Sequence, residues 1–265
     1  TANTYTVTYN CKSGDSCTGT MSNSSHTYDT AKNLTANAFS NGTKKFLGWT
    51  TSATGTTATY TNGQSVSNLT TTNGETVNLY AVWGTCTACS AGTGATCSLS
   101  APAGVCTYTD ACKTGYNTLV NGTAYNPSCT ANTITINYNS NASGTTGSTS
   151  ATSCSYDSAC TARTNGFTNG TKKFNGWNTK ADGTGTSYAA GASIKNIIAT
   201  GSTTLYAQWT NCTACSASHA SCTLTAPAGV CTYATSCNTG YHGGTANTYN
   251  HSCTANTYTV TYNCK

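Results

Sequence analysis

Residues 1–12, TANTYTVTYNCK, decide the fold, because the same twelve letters return unchanged at 254–265 and as a near copy, TANTITINYNS, at 130–140. Within the stretch Tyr5, Val7 and Tyr9 alternate with Thr4, Thr6 and Thr8. A period of two in β-favouring residues predicts a strand with one buried face. Self-similarity at a fixed period marks an array of repeated units. The chain therefore reads as two full repeats and the opening strand of a third, a window on a longer tandem array.

Moving outward, NGTKKFLGW at 41–49 returns as NGTKKFNGW at 169–177. This is a turn signal followed by a strand in which Phe46, Trp49, Phe174 and Trp177 carry core area. The change of Leu47 to Asn175 marks its outward side. A closing strand, LYAVW at 79–83 and LYAQW at 205–209, adds Tyr80, Trp83, Tyr206 and Trp209 to the expected core, with Val82 and Gln208 on its exposed side. Over 29–39 the spacing of Leu34, Ala38 and Phe39 predicts a short helix with Asp29 near its cap, against the poor helix propensity of Thr and Asn.

The order of a TVTYN strand at 6–10, a YDT turn at 28–30, the Phe-x-Gly-Trp segment, the loop NTKADGTGTSY at 178–188 and the closing LYAQW resembles the Listeria/Bacteroides repeat, also called the internalin B-repeat. The similarity covers about 1–84 and 130–210. It implies a small β-grasp-like fold, mainly β with an α+β element. It also implies tandem copies in a bacterial surface protein, hence a spacer or adhesin stalk. The cysteines lie outside that pattern.

Seventeen cysteines in small modules point to an oxidising compartment, extracellular or at the cell surface. Each repeat carries eight: Cys11, Cys17, Cys86, Cys89, Cys97, Cys106, Cys112 and Cys129, then Cys154, Cys160, Cys212, Cys215, Cys222, Cys231, Cys237 and Cys253. Cys264 corresponds to Cys11, with its partner expected further along the array. Cys11 with Cys17 and Cys154 with Cys160, both Cys-x5-Cys, are expected as local bridges. Six cysteines per rich module leave about 15 connectivities open, and only confinement within a module is expected. Cys86-x2-Cys89 and Cys212-x2-Cys215 find no second such pair at zinc-ribbon spacing, which favours structural disulfides. The resulting organisation is a β-grasp-like module at 1–84, a cysteine-rich module at 85–129, their second copies at 130–210 and 211–253, and the first strand of a third repeat at 254–265. Modules as short as the rich ones need crosslinks to hold order.

Charged residues make up 6% of the chain against roughly 25% in ordinary soluble proteins. The net charge of +5 is too dilute for a nucleic-acid track, and no apolar run has the length of a membrane span. Asp29 and Asp157, each in a Tyr-Asp turn, read as backbone caps. His219, His242 and His251 face a gap, Asn117 and Pro127 in the first repeat, and read as incidental surface histidines. A lysine isopeptide through Lys44 or Lys45 and Glu75 fails in the second copy, which has Ser202, Thr203 and Thr204 there. No catalytic set, metal site or cofactor emerges, so the chain is not expected to be an enzyme. Asn23, Asn33, Asn41, Asn68, Asn121, Asn141, Asn169, Asn211 and Asn250 stand in Asn-x-Ser/Thr sequons, and attached glycans are expected to solubilise the neutral surface. The expectation is a structural protein of an extracellular fibre or cell-surface stalk, with neighbouring repeats as its partners and no membrane insertion. The short joins at 83–86, 129–132 and 209–212 predict a fixed advance of roughly 50 Å per repeat. The alternative is an adhesin whose modules bind a host protein or glycan. Buried aromatics favour the first, and an exposed repeated aromatic patch favours the second.

Overall fold

The computed structural model describes residues 1–120 and 124–265, with only the backbone of Val120. The chain divides into two compact units, Thr1–Thr130 and Ala131–Lys265. In the first, a mixed sheet runs in the order Ser24–Thr27, Thr4–Asn10, Thr76–Thr85, Lys44–Thr50. The entry strand Thr4–Asn10 lies parallel to the exit strand Thr76–Thr85, in register from Thr6 opposite Thr76 to Asn10 opposite Tyr80. Both outer pairings are antiparallel. Alternation in the entry strand is realised: Tyr5, Val7 and Tyr9 are buried, and they join Leu34, Phe39, Trp49, Val66, Leu79 and Ala81 in one core.

Among the described residues there is no α-helix, so the expected helix over 29–39 does not form. This stretch crosses the sheet face in extended and irregular conformation, burying Leu34, Asn37 and Phe39. Asn37 supplies the reason, since its amide bonds both the N–H and the C=O of Phe39 and so replaces helical pairing with a local side-chain link. Asp29 caps no helix. It sits in the left-handed region at φ 61°, as does Asn68 at φ 56°. The Asp29 N–H donates to Asn68 Oδ1 at 2.6 Å and Asn68 Nδ2 donates back to Asp29 Oδ1 at 2.7 Å. The same reciprocal latch joins Asp157 and Asn196 in the second unit.

Val82 is also not on an exposed side, being only 2% accessible. Lys12, just after the entry strand, donates to the Gly55 carbonyl at 2.6 Å. The loop after the Trp49 strand is thereby held over the outer face of the exit strand. In the second unit Asn141 reaches the Ala181 carbonyl at 2.7 Å, and Gln208 is half-buried in that place.

The second unit repeats the design with five strands, ordered Thr152–Ser155, Thr133–Asn139, Gly201–Asn211, Lys172–Asn178, Ser187–Tyr188. Its entry and exit strands are again parallel neighbours. Asn178, fully buried, organises the following loop: its Nδ2 donates to the Gly183 and Gly185 carbonyls and to Ser187 Oγ, and its Oδ1 accepts from the N–H groups of Lys180 and Gly185.

Each rich module is built on a β-hairpin, Ala95–Ser100 with Thr107–Cys112 and Ala220–Thr225 with Thr232–Cys237. The hairpins close through single 3-10 turns, Pro102–Gly104 and Pro227–Gly229. Residues 256–265 form no strand, although they are identical to 3–12, and Tyr258 and Tyr262 are 88% and 90% exposed. The copy at 3–12 has neighbours on both sides of its ladder, and the strand depends on them.

Candidate functional site

Local backbone chemistry builds one feature twice, a seam where the rich module rests on the sheet. In the Pro-Ala-Gly turn Ala103 and Gly104 take φ 49° and 73°, and their counterparts Ala228 and Gly229 take 48° and 75°. The reversal presents a face without a Cβ to the aromatic strand. A Cβ on Gly104 would lie 2.7 Å from the Phe46 backbone nitrogen, and one on Gly229 would meet Phe174 at the same distance. Polar bonds fix the seam. Asn37 Nδ2 donates to the Ala103 carbonyl at 2.8 Å and the Ala103 N–H donates to Ser40 Oγ at 2.9 Å. Asn165 and Thr168 make the equivalent bonds to Ala228.

Behind the seam Phe46 packs edge-on against Trp49 and Trp83, at 4.8 and 5.6 Å between ring centres, and Phe174 does so against Trp177 and Trp209 at 4.8 and 5.8 Å. Tyr80 and Tyr206 are a correction. One residue along from Leu79 and Leu205, they point away from the core and lie half-buried. Tyr5, Tyr9 and Phe39 take the aromatic role in the first core. In the second unit a cleft of about 540 Å³ opens beside Phe174, lined by Lys173, Ala190, Ala228 and Val230 among others. At the place of Ala190 the first unit has Asn62, whose Oδ1 accepts the Asn37 N–H at 2.8 Å.

The sixteen cysteines of the two repeats pair as Cys11 with Cys17, Cys86 with Cys106, Cys89 with Cys97 and Cys112 with Cys129. In the second unit the pairs are Cys154 with Cys160, Cys212 with Cys231, Cys215 with Cys222 and Cys237 with Cys253. Cys264 is free and exposed. Neither Cys-x2-Cys motif closes on itself. The displaced local bridge has a structural explanation: Cys154 stands opposite Ile134 as His26 stands opposite Tyr5. Cys160 stands opposite Ile194 as Lys32 stands opposite Val66. A stacked His26, 1% exposed and 5.4 Å from the Tyr5 ring, fills the space that the second unit fills with cystine. Burial, followed by the nearby positive charge of Lys32, holds the His26 imidazole below the ordinary histidine pKa. Asp15 behaves differently. Desolvation pulls its carboxyl up, but bonds from Lys44 and Asn41 and the charges of Lys44 and Lys12 prevail and leave it below the ordinary aspartate value. The Lys44 ammonium lies 3.0 Å from its carboxylate.

The histidines separate. His219 is exposed and stacks on Tyr241 at 4.3 Å, and His242 is exposed and pairs with Asn256. His251 is no surface residue, being 3% exposed, with Nδ1 2.6 Å from the Thr245 carbonyl. Its Nε2 lies 3.3 Å from Cys253 Sγ and 3.9 Å from Cys237 Sγ. These three residues form a compact group, but two of them share a disulfide and offer no thiolate to a metal.

Among the sequons, Asn23, Asn33, Asn211 and Asn250 are exposed. Asn41 is 5% exposed, and the Nδ2 atoms of Asn41 and Asn169, where a glycan would attach, are buried. The Nδ2 of Asn68 and of Asn141 is committed to Asp29 and to the Ala181 and Ala207 carbonyls. Asn121 lies outside the described residues. Lys44 pairs with Asp15, while Glu75 accepts from the Thr70 hydroxyl, and among the described residues no ion pair joins Glu75 to Lys44 or Lys45.

Comparison with known proteins finds no match among curated proteins or solved structures. A family model, the Listeria-Bacteroides repeat domain, matches residues 5–82 and 135–208, more than half of the chain. These are the two mixed sheets with their buried tryptophans, and they leave the rich modules outside the match. The chain belongs to the Listeria-Bacteroides repeat domain family.

Proposed function

We propose that this chain is a load-bearing segment of an extracellular fibre or cell-surface stalk. One observation carries the reading. In both sheets the chain enters along one strand and leaves along the neighbouring parallel strand, Thr4–Asn10 beside Thr76–Thr85 and Thr133–Asn139 beside Gly201–Asn211. Parallel strands pulled from opposite ends slide past each other, so tension loads their whole ladder of hydrogen bonds at once. An antiparallel hairpin pulled at its open end breaks one bond at a time. Neither local bridge, Cys11 to Cys17 nor Cys154 to Cys160, ties entry strand to exit strand, so the ladder itself bears the load. In the rich modules cystines across 20 and 17 residues, and 19 and 16, cap how far the chain can lengthen after rupture.

The reading also takes the chain to be no enzyme, exported to an oxidising space and modified by glycans at exposed asparagines such as Asn23, Asn33, Asn211 and Asn250. Its surface chemistry supports this, with residues 211–253 containing no Asp, Glu, Lys or Arg. Stretching single molecules by their two ends tests it. Two abrupt sheet ruptures are expected, with the lengthening per unit rising after reduction. Smooth extension at low force contradicts the reading.

A second reading, an adhesin, is favoured by one repeated surface feature. Tyr108 with Tyr125, and Tyr233 with Tyr249, form tilted pairs at 5.8 and 6.1 Å on the rich modules, with Tyr249 51% exposed. Neutral sugars stack on such faces. A glycan array bound by the chain and lost on Tyr249→Ala supports this reading, and no binding removes it.

A further inference from the structure

We propose that Cys237, Cys253 and His251 form a thiol–disulfide exchange site, a disulfide built to be opened by a small dithiol while its counterpart in the first repeat stays closed. The two sulfurs differ in access. Cys237 is half-buried and Cys253 is 8% exposed, so an incoming thiolate reaches Cys237 Sγ first. The sulfur that must leave, Cys253 Sγ, is the one 3.3 Å from His251 Nε2. The ring is held in place, because Nδ1 faces the Thr245 carbonyl at 2.6 Å and can only donate to it. When the ring is protonated, Nε2 carries the second hydrogen and points it at the leaving sulfur.

The surrounding chain is shaped for this. Gly243 and Gly244, at φ 78° and 80°, bring the Gly243 carbonyl 3.1 Å from Cys237 Sγ. A Cβ on Gly244 would stand 2.7 Å from His251 Cε1 and 2.6 Å from the Ser252 carbonyl. Residues 211–253 hold no acid, lysine or arginine that competes with His251. The strands that pack on His251, Ser216–Ser218, Ala220–Thr225 and Thr232–Cys237, carry no acid, lysine or arginine. The other titratable side chains of the module are His219, stacked on Tyr241, His242, paired with Asn256, and the tyrosines.

The step balances. One thiolate of the dithiol attacks Cys237 Sγ, forming a mixed disulfide and breaking the bond between Cys237 and Cys253. The electron pair goes to Cys253 Sγ, which takes the proton from His251 Nε2. The second thiol of the dithiol then gives up its proton to Cys237 Sγ and displaces it from the mixed disulfide, so that the reagent leaves as a cyclic disulfide and Cys237 as a thiol. Two electrons have passed from dithiol to cystine. An imidazolium beside the leaving sulfur lowers the barrier to its departure, as a lower leaving-group pKa does.

The chain contains its own control. Cys112 and Cys129 close a loop of 17 residues against 16 and have the same half-buried and buried classes, but Pro127 stands where His251 does. Lys113 follows Cys112 there, and a cation beside a sulfur eases exchange, so this neighbour works against the predicted difference in rates. The test exposes the intact chain to dithiothreitol, quenches at intervals by alkylation and reads each bridge by peptic mapping. Opening of Cys237–Cys253 is expected at least tenfold faster than that of Cys112–Cys129, with the ratio growing on acidification. His251→Asn should bring the two rates together while Cys212–Cys231 keeps its own rate, which reports an intact module. Pro127→His should speed the first bridge. Equal rates in the native chain, an unchanged rate in His251→Asn, or a ratio indifferent to pH each overturns the proposal.

Discussion

Gly104 lies directly on Phe46: a side-chain carbon at this glycine would come within 2.7 Å of the Phe46 backbone nitrogen and closer still to its Cβ. The same relation holds between Gly229 and Phe174, so the contact belongs to the repeat. Gly104→Ala meets both a left-handed backbone and a blocked space. It should cost the first unit about 2 to 4 kcal/mol. Gly63→Ala, at φ 68° over open space, should cost about 1 kcal/mol from the backbone alone. Urea unfolding followed residue by residue through hydrogen exchange checks both.

Acid should loosen the first unit before the second. The His26 pKa is lowered in the folded state, so the unfolded chain takes up the proton more readily. The stabilisation is complete above the unfolded value of about 6.5 and is lost as pH falls through the lower folded value. Asp15, also lowered, adds a second loss below about pH 4, the unfolded carboxyl range. The second unit has Cys154 in the place of His26. The double change His26→Cys with Lys32→Cys should form a bridge, abolish the first acid step and add about 2 kcal/mol. Thermal melts at pH 7 and pH 5 read the result.

The closing tryptophans should differ although their neighbours match. Trp209 Nε1 donates to the Ser140 carbonyl at 2.7 Å, whereas Trp83 Nε1 is buried with no acceptor. Replacement by Phe removes similar volume in each, but only Trp209→Phe breaks a bond. It should cost about 1 kcal/mol more than Trp83→Phe, measured by denaturant midpoints.

Asn178 should be the costliest polar change. Five hydrogen bonds converge on its buried amide, while Thr50 in its place in the first unit makes one at 3.4 Å. Asn178→Ala should lose about 3 kcal/mol and release the 179–187 loop to rapid hydrogen exchange, and Thr50→Ala under about 1 kcal/mol.

The strands and their inward aromatics were legible because period-two alternation and buried area are local properties of the sequence. Tyr5, Val7, Tyr9 and Trp49 could be placed that way. What failed was set by partners distant in sequence. Lys12 and Asn141 carry the loop across Val82 and Gln208, and nothing near either residue announces this cover. The extended path at 29–39 is fixed by Asn37, whose amide answers to the backbone of Phe39 and to a turn in the rich module. His251 looked incidental because its meaning lies in two cysteines brought to it by folding. The glycine contacts at Phe46 and Phe174 had a visible signal, a repeated Pro-Ala-Gly, but its target had none.

The central claim is that each sheet resists tension through its parallel entry and exit strands. The direct measurement compares rupture forces of the same molecule pulled in two directions. Handles at the two chain ends load the Thr4–Asn10 and Thr76–Thr85 ladder in shear, whereas handles at Lys44 and Thr85 peel the antiparallel pair from its open end. The account predicts a rupture force several-fold higher for the end-to-end pull, with the second sheet behaving alike. Equal forces in the two directions would contradict it.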